Sequence, residues 1–462
     1  MDRYDFVVMG SGPAGEKAAA QAAYFGKRVA VVERSAVPGG APVNTGGIPS
    51  KTLREAAQYL TGYRFRDVYG TSLGLSGDAL VELLRKRESE VSRSIADAVQ
   101  ANLDRHGIVL VHGEATLGPD RTVLVTRDDG STSTLGADVI LIATGSRPFH
   151  PSAIPFDDPD VHDSDSIIHL ERIPDSMVVI GAGPVGSEYA SIFTALGATV
   201  TLVDGTDRLM PFLDHEISDE LLASFHGAGL DVRLGSPDAV VERTGSGLRV
   251  TFVDGRTVEP DMVLFAAGRT GNTEALGLEA VGVSCDERRR IVVDDRFETT
   301  VPGIFAAGDV IGPPALASVS AEQGRVAACR AFDIPFKERV DPMPPFGIYS
   351  IPEIGMVGMT EQAAESGGID AVSGRSLFSA NAKSRIIGTT EGMVKLVVSR
   401  ADRRILGVHI LGDDAAEMIH LGQAMIHAEE TVDGFIDSTY NIPTRTEAYK
   451  YAAYDVLQRL ER

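Results

Sequence analysis

Two glycine clusters, each with an acid at a fixed distance, carry the first chemical signal. Gly10, Gly12 and Gly15 lie in "GSGPAG", and Gly181, Gly183 and Gly186 in "GAGPVG". An acid stands 23 residues beyond the first glycine of each: Glu33 in one copy, Asp204 in the other. The first glycine of such a set permits a tight turn from strand to helix. The second lets the backbone approach a pyrophosphate, and the third lets helix and strand pack closely. The helix N-terminus turns unpaired N–H groups and a partial positive charge toward the phosphates. The acid accepts hydrogen bonds from ribose hydroxyls. Two complete sets imply two separate dinucleotide sites. Asp204 suits a free 2′-hydroxyl and repels a 2′-phosphate by an energy on the order of a few kcal/mol at a half-exposed site. The second site is therefore expected to prefer a dinucleotide without a 2′-phosphate, with Arg208, four residues on, as a cation able to offset part of the repulsion.

The elements that must hold these residues are legible around them. "DFVVMG", "RVAVVE", "VILIATG", "MVVIGAG", "TVTLVD" and "MVLFAAG" are short apolar runs ending in glycine or an acid, alternating with alanine-rich helical stretches. Such strands belong to parallel sheets covered by helices on both faces. "ATG" at Ala143 to Gly145 and "AAG" at Ala266 to Gly268 each close a strand, where the chain passes from one domain to the next. "TTVPGIFAAGDV" is a strand that ends at Gly308-Asp309. A proline-rich connector, "DPMPPFGIYSIPEIG", leads through an exposed strand into a mixed helical and stranded C-terminal part.

Composition bounds the rest. The chain has 462 residues, 43% of them hydrophobic, and a formal net charge of −22. That length predicts two to four domains, and the charge excludes nucleic acid and anionic membrane surfaces as partners. No apolar run is long enough to span a bilayer. The N-terminus starts a strand at once, with no basic region or cleavage site. Two cysteines argue against a disulfide scaffold and fit a reducing, cytoplasmic setting. No Cys/His or HExxH spacing points to a metal. Cys329, His409 and His420 read as packing or locally hydrogen-bonded residues, and "LLRKRESEVSR" as a solvated helix face.

These motifs, together with "GGIPSKTLREA", "AAGRTGNTEALGLEAVG", "IFAAGDVIGPPALASVSAEQGR", "GIYSIPEIGMVG" and "YNIPTRTEAYKYAA", resemble the pyridine nucleotide–disulfide oxidoreductases over most of the chain. Within that family the likeness is greatest to the soluble, FAD-containing pyridine nucleotide transhydrogenases. The resemblance implies an α/β flavoprotein with two Rossmann-like dinucleotide-binding domains, one for FAD and one for NAD, plus a C-terminal α+β dimerisation domain. The implied boundaries are 1–150 with 271–340 for a discontinuous FAD-binding domain, 151–270 for the NAD(P)-binding domain and 341–462 for the interface of a homodimer. The FAD site would take Gly10, Gly12, Gly15, Glu33, Arg34, Gly39, Gly40, Lys51, Ala115, Thr144, Gly145, Asp309 and Ala317. The nicotinamide site would take Gly181, Gly183, Gly186, Glu188, Asp204 and Gly268. In the family the Lys matching Lys51 lies beside the flavin and pairs with the Glu matching Glu188.

The departures from the family are as informative. The stretch "GGAPVNTGGIPSK" has the frame that carries two redox cysteines, yet those positions are Pro42 and Gly47. The catalytic His of the C-terminal motif is replaced by Ile442, and Glu447, which would orient that His, remains. Pro42 and Ile442 can neither donate nor accept a side-chain proton. The expected relay thus stops at the flavin, whose electrons must pass to whatever reaches it directly. A second nicotinamide nucleotide is the natural acceptor, which makes the expected reaction a ping-pong transhydrogenation. An NADH-dependent diaphorase, quinone reductase or oxidase is the alternative, and a flavin-bound sensor of low turnover a third.

Overall fold

The computed structural model describes residues 1–63, 70, 77–235, 239–245 and 247–461. It divides into two compact units. The first comprises Met1–Thr52, Arg85–Phe149 and Gly268–Pro342, and the second Leu53–Leu84, His150–Ala267 and Met343–Arg462.

The first unit is built on the long strand Thr132–Ile142. One edge pairs in parallel with Asp2–Met9, which continues to Val29–Glu33 and Val109–His112. The other edge is shared: residues 132–136 pair antiparallel with Thr122–Thr126, which in turn pairs with Glu114–Gly118, and residues 140–142 pair in parallel with Ile304–Ala306. Phe6 to Met9 are fully buried, but helices cover one face only, not both as expected. Phe6 and Val8 pack with the helices Pro13–Tyr24, Asp78–Arg105 and Ala317–Ala331, whereas Val7 and Met9 pack with Leu117, Val123 and Val125 of the antiparallel strands. One of these helices, Pro13–Tyr24, is alanine-rich for a steric reason. It runs so close to the helix Ala317–Ala331 that a Cβ on Gly324 would lie 2.1 Å from the Ala14 carbonyl oxygen. Cys329 is fully buried in that second helix, as expected.

The second unit repeats the theme with a parallel sheet in the order Asp231–Arg233, Thr199–Val203, Ser176–Ile180, Met262–Phe265, Val161–Asp163. A small antiparallel sheet (Ala239–Thr244, Gly247–Phe252, Thr257–Val258) lies against it through Val241, Leu248, Val250 and Phe252. The C-terminal segment of the same unit is an antiparallel sheet in the order Phe346–Ile348, Ile354–Gly358, Ile405–Leu411, Met393–Ser399, Ala371–Leu377. It carries the helices Ala415–His427 and Ala448–Leu460, whose buried faces meet it. The strand expected to be exposed, Phe346–Ile348, is an edge strand whose residues are half-buried or buried, because Ile348 enters the core of the unit. Leu53, Ala57, Leu80 and Leu84 enter the same core, which is why Leu53–Leu84 groups with the second unit and not with the nucleotide fold it follows in sequence. The expected solvated face of the helix Asp78–Arg105 is present, with Arg85, Lys86, Arg87 and Arg93 exposed.

Candidate functional site: two glycine cradles and the Pro42–Gly47 turn

In the first unit the helix Pro13–Tyr24 starts immediately after Gly12, with no side chain capping its N-terminus. Gly10 has φ of +105°, and a Cβ there would lie 2.5 Å from the Ala143 carbonyl oxygen. A Cβ on Gly15 would lie 1.9 Å from the Gly10 carbonyl oxygen, so the turn closes only with glycine at both ends. Gly40, at φ of +63°, passes so close that its Cβ would meet Gly12 Cα at 2.6 Å. The Glu33 carboxylate is fixed within this turn. One oxygen accepts from Ser11 N–H at 2.9 Å and from Ser11 Oγ at 2.6 Å, and the other from Ser35 N–H at 2.8 Å. Ser11 Oγ in turn accepts from Gly39 N–H at 2.9 Å. Each carboxylate oxygen has more than one acceptor site, so Glu33 keeps capacity for ribose hydroxyls. Arg34, next along, is exposed.

Asp309, in the short turn of helix Asp309–Ile311, accepts from Ser146 Oγ at 2.9 Å and Ser320 Oγ at 3.2 Å. Arg269 Nε donates to that Ser146 hydroxyl at 2.8 Å. Thr144 and Asn272 exchange two hydrogen bonds, and Asn272 N–H also donates to the Gly145 carbonyl at 2.9 Å. Ala317 opens the helix that follows Asp309, and Ala115 sits half-buried in the strand Glu114–Gly118 opposite Val125. Gly268 belongs to the first unit, where its carbonyl accepts from Phe149 N–H at 3.1 Å.

The second unit repeats the cradle nearly atom for atom. Gly181 has φ of +104°, and a Cβ on Gly186 would lie 1.8 Å from the Gly181 carbonyl oxygen. Asp204 accepts from Ala182 N–H at 2.6 Å with one oxygen, and from Thr206 N–H and Oγ at 2.8 Å with the other. The residue after the first glycine and the residue two past the acid thus play the same part in both copies. A Cβ on Gly183 would meet nothing within 4 Å, so the space before the helix Pro184–Ala195 is open. Glu188 is buried on that helix, and its Oε1 accepts from Tyr349 N–H at 2.9 Å. Arg208 does not turn toward Asp204. It forms an ion pair with Asp219 and donates to the His215 carbonyl at 3.3 Å.

The stretch expected to frame two redox positions forms the short helix Ala41–Asn44 and the start of the helix Gly47–Leu60. A Cβ built on Gly47 would stand 3.3 Å from Pro42 Cα and 3.4 Å from Pro42 Cβ, slightly closer than the Cβ atoms of a disulfide stand. Lys51 follows on the helix Gly47–Leu60, half-buried, with Nζ 3.4 Å from Ser50 Oγ. Ile442 is 73% exposed. Glu447 precedes the helix Ala448–Leu460, and its Oε1 accepts from Tyr451 Oη at 3.2 Å. That contact and the Glu447 charge push the Tyr451 phenol up. Cys285 is exposed, and burial of its sulfur, with Asp286 and Glu279 nearby, keeps its thiol above its ordinary range. His409 is buried with Nε2 3.0 Å from the Met359 carbonyl, and His420 Nδ1 lies 3.1 Å from Gln423 Oε1, the local roles expected of both. Among the described residues no cluster of His, Cys, Asp or Glu could hold a metal, and no helix is long and apolar enough to cross a membrane.

Sequence reading missed Ser11, Ser146, Asn272 and Tyr349. Ser11 had a signal, since it lies between Gly10 and Gly12, where a hydroxyl can reach an acid. The others act through segments distant in sequence, and nothing local marks them.

Residues 4–324 match the family described as pyridine nucleotide-disulphide oxidoreductase, and residues 344–453 match that family's dimerisation domain. A soluble pyridine nucleotide transhydrogenase of Mycobacterium tuberculosis is 42% identical over 461 residues, covering 100% of this chain and 98% of the relative. The protein of the same name from Pectobacterium atrosepticum is 38% identical over 460 residues, covering 99% and 98%. Among solved structures, LpdA of Mycobacterium tuberculosis is similar at 30% identity with a TM-score of 0.88, covering 98% of this chain and 99% of its own. The HOCl-induced flavoprotein disulfide reductase RclA of Escherichia coli is similar at 26% identity with a TM-score of 0.87, over the same shares of the two chains.

Proposed function

Because the chain belongs to the pyridine nucleotide-disulphide oxidoreductase family, we propose that it is an FAD-dependent NAD(P)H oxidoreductase that transfers hydride between nicotinamide nucleotides and uses no thiol. The observation that carries this reading is the stretch at Pro42 and Gly47, where a Cβ on Gly47 would lie beside Pro42 and neither residue has sulfur. The names of the relatives at 42% and 38% identity support the same reaction. FAD, when bound, supplies the chemistry by accepting hydride from one nicotinamide and delivering it to another.

The residues present fit both nucleotides. Gly10, Gly12, Gly15, Gly39 and Gly40 form a turn in which side chains have no room, suited to the FAD pyrophosphate. Glu33 takes the ribose of its adenosine, and Asp309, fixed by Ser146 and Ser320, takes the hydroxyls of the ribityl chain. Arg34, Ala115, Thr144, Gly145 and Ala317 line the same site. Gly181, Gly183 and Gly186 receive the nicotinamide nucleotide, where the open space before Gly183 admits its phosphates, and Gly268 follows the strand of that fold in sequence. Lys51 provides a positive charge on the flavin side, and Glu188 an acceptor on the nicotinamide side. Glu447 has lost the histidine it would orient and keeps a contact with Tyr451. The match to a dimerisation domain supports a homodimer, and the paucity of cysteine supports a cytoplasmic setting.

Asp204 favours NAD(H), and the Arg208–Asp219 pair removes the cation that would favour NADP(H). That pair also supports a second reading, an NADH-dependent diaphorase or oxidase. Neither reading uses a thiol, and the thiol question is tested directly. Glutathione disulfide, lipoamide and mercuric ion should all fail as acceptors with NADH as donor. Anaerobic NADH should bleach the flavin without a long-wavelength thiolate-to-flavin band. Robust turnover of lipoamide or glutathione disulfide would overturn the proposal.

A further inference from the structure

The largest fully buried side chain in the described structure is a charged one, Arg54. It lies in the second unit, on the helix Gly47–Leu60, at 1% exposure. Its Nη1 pairs with Glu353 Oε1 at 3.0 Å and with the exposed Glu55, and its Nε donates to the Ser350 carbonyl at 3.1 Å. Among the described residues its buried Nη2 has no hydrogen-bond partner, and neither has the buried Nε2 of Gln58, one turn later on the same helix. An ion pair withdrawn from water seldom stabilises a fold more than apolar residues of similar volume, and unpartnered buried donors add a further cost. Stability therefore does not explain Arg54.

What Arg54 does control is the segment Tyr349–Glu353, between the strands Phe346–Ile348 and Ile354–Gly358. Three consecutive residues of that segment are gripped. Arg54 holds the Ser350 carbonyl. The N–H on one side, Tyr349, donates to Glu188 Oε1 at 2.9 Å. The N–H on the other, Ile351, donates to Ser191 Oγ at 3.1 Å. Glu188 and Ser191 lie three residues apart, on one face of the helix Pro184–Ala195. Glu353 ends the grip, its own backbone carbonyl accepting from Gly412 N–H at 2.8 Å. Burial of the Tyr349 ring, reinforced by the charges of Glu353 and Glu188, pushes its phenol up and keeps it an O–H donor.

We propose that Arg54 is a positioning residue for Glu188: it fixes the Tyr349–Glu353 segment, whose Tyr349 N–H orients the Glu188 carboxylate for hydride transfer. This inference rests on the reading of the Gly181 cradle as the nicotinamide site. Arg54 touches neither substrate nor cofactor in this role. Loss of its grip leaves nucleotide affinity nearly intact and slows the step that depends on alignment.

The test compares wild type with Arg54→Met, Arg54→Lys and the double variant Arg54→Met/Glu353→Gln, which removes the carboxylate that the single change strands. Flavin reduction is followed by stopped flow over a range of NADH concentrations, with FAD content and thermal midpoint measured in parallel. In Arg54→Met the rate at saturating NADH should fall about tenfold or more, as misalignment does, while the half-saturating concentration stays within about threefold. Arg54→Lys should recover part of the rate. The double variant should keep its FAD and its thermal midpoint and still be slow. The inference is overturned if Arg54→Met reduces its flavin at the wild-type rate, or if the double variant regains that rate as its stability returns. A wild-type flavin that NADH does not reduce at all overturns the nucleotide-site reading and this inference with it.

Discussion

Gly183 and Gly186 stand three residues apart and respond oppositely to an added methyl group. A Cβ on Gly186 would overlap the Gly181 carbonyl oxygen at 1.8 Å, whereas one on Gly183 would meet nothing within 4 Å. Gly183→Ala should therefore leave the thermal midpoint and FAD content unchanged and weaken NADH alone. A tenfold rise in its half-saturating concentration, about 1.4 kcal/mol, is expected, and an unchanged NADH dependence would remove the pyrophosphate from this cradle. On the proposed reading, the acid at the other end of the set, Asp204, decides which nucleotide enters. Asp204→Asn keeps an acceptor for Thr206 and removes the like charge facing a 2′-phosphate. NADPH should gain on NADH by about tenfold or more in flavin reduction, from a repulsion of a few kcal/mol at such a site. Equal efficiency of the two donors in the unmutated protein would show that another cation neutralises the acid. The glycines and acids were legible in sequence because each answers a local steric or charge demand. Arg208 was not, because its partner Asp219 lies 11 residues on, in the helix His215–Gly227.

At the scale of elements, alternation of buried and exposed residues misleads most where a charge is buried. Lys395 sits in the apolar strand Met393–Ser399, opposite His409 in the register, and is 1% exposed. Its Nζ lies 2.8 Å from Asp214, 3.2 Å from Glu216 and 2.7 Å from Glu361. Asp214 also caps the helix His215–Gly227 through Glu216 N–H. Lys395→Met should cost about 3–5 kcal/mol, because it leaves the fully buried Asp214 without its cation. Burial works upward on the Glu361 carboxyl, but hydrogen bonds from Lys395 and Ser373 outweigh it and hold it below its ordinary range. A carboxyl so lowered contributes stability above its unfolded pKa and loses it as pH falls through the folded one. The difference between wild type and Lys395→Met in urea unfolding should thus be largest at neutral pH and shrink as pH falls below the ordinary carboxylate range. A difference that does not change with pH would mean that the lysine acts through packing alone. The parallel sheets were legible from their apolar runs, and the repeat from its spacing. The ion cluster was not, since Asp214 and Lys395 lie 181 residues apart and only the fold joins them.

At the scale of the whole molecule, the proposed function joins a family fold to hydride transfer without a thiol. Both glycine cradles are complete, with Glu33 and Asp204 held alike by their own turns. A Cβ on Gly47 would lie against Pro42, neither residue carries sulfur, and Ile442 is exposed; on the proposed reading these are the places of a lost thiol pair and its imidazole. A protein that retained hydride transfer and lost thiol exchange would look like this. The departures were legible because they replace single residues inside strong motifs. The identity of the acceptor was not, since the loss of a thiol relay does not name the molecule that takes the flavin's electrons in its place. The most direct measurement is anaerobic stopped flow on enzyme reduced with one equivalent of NADH. It is mixed in separate runs with NADP⁺, with a thio-analogue of NAD⁺, with a quinone and with oxygen. Transhydrogenation requires the flavin absorbance to return faster with a nicotinamide nucleotide than with oxygen. Return with oxygen or quinone alone, with both nicotinamides inert, would contradict it.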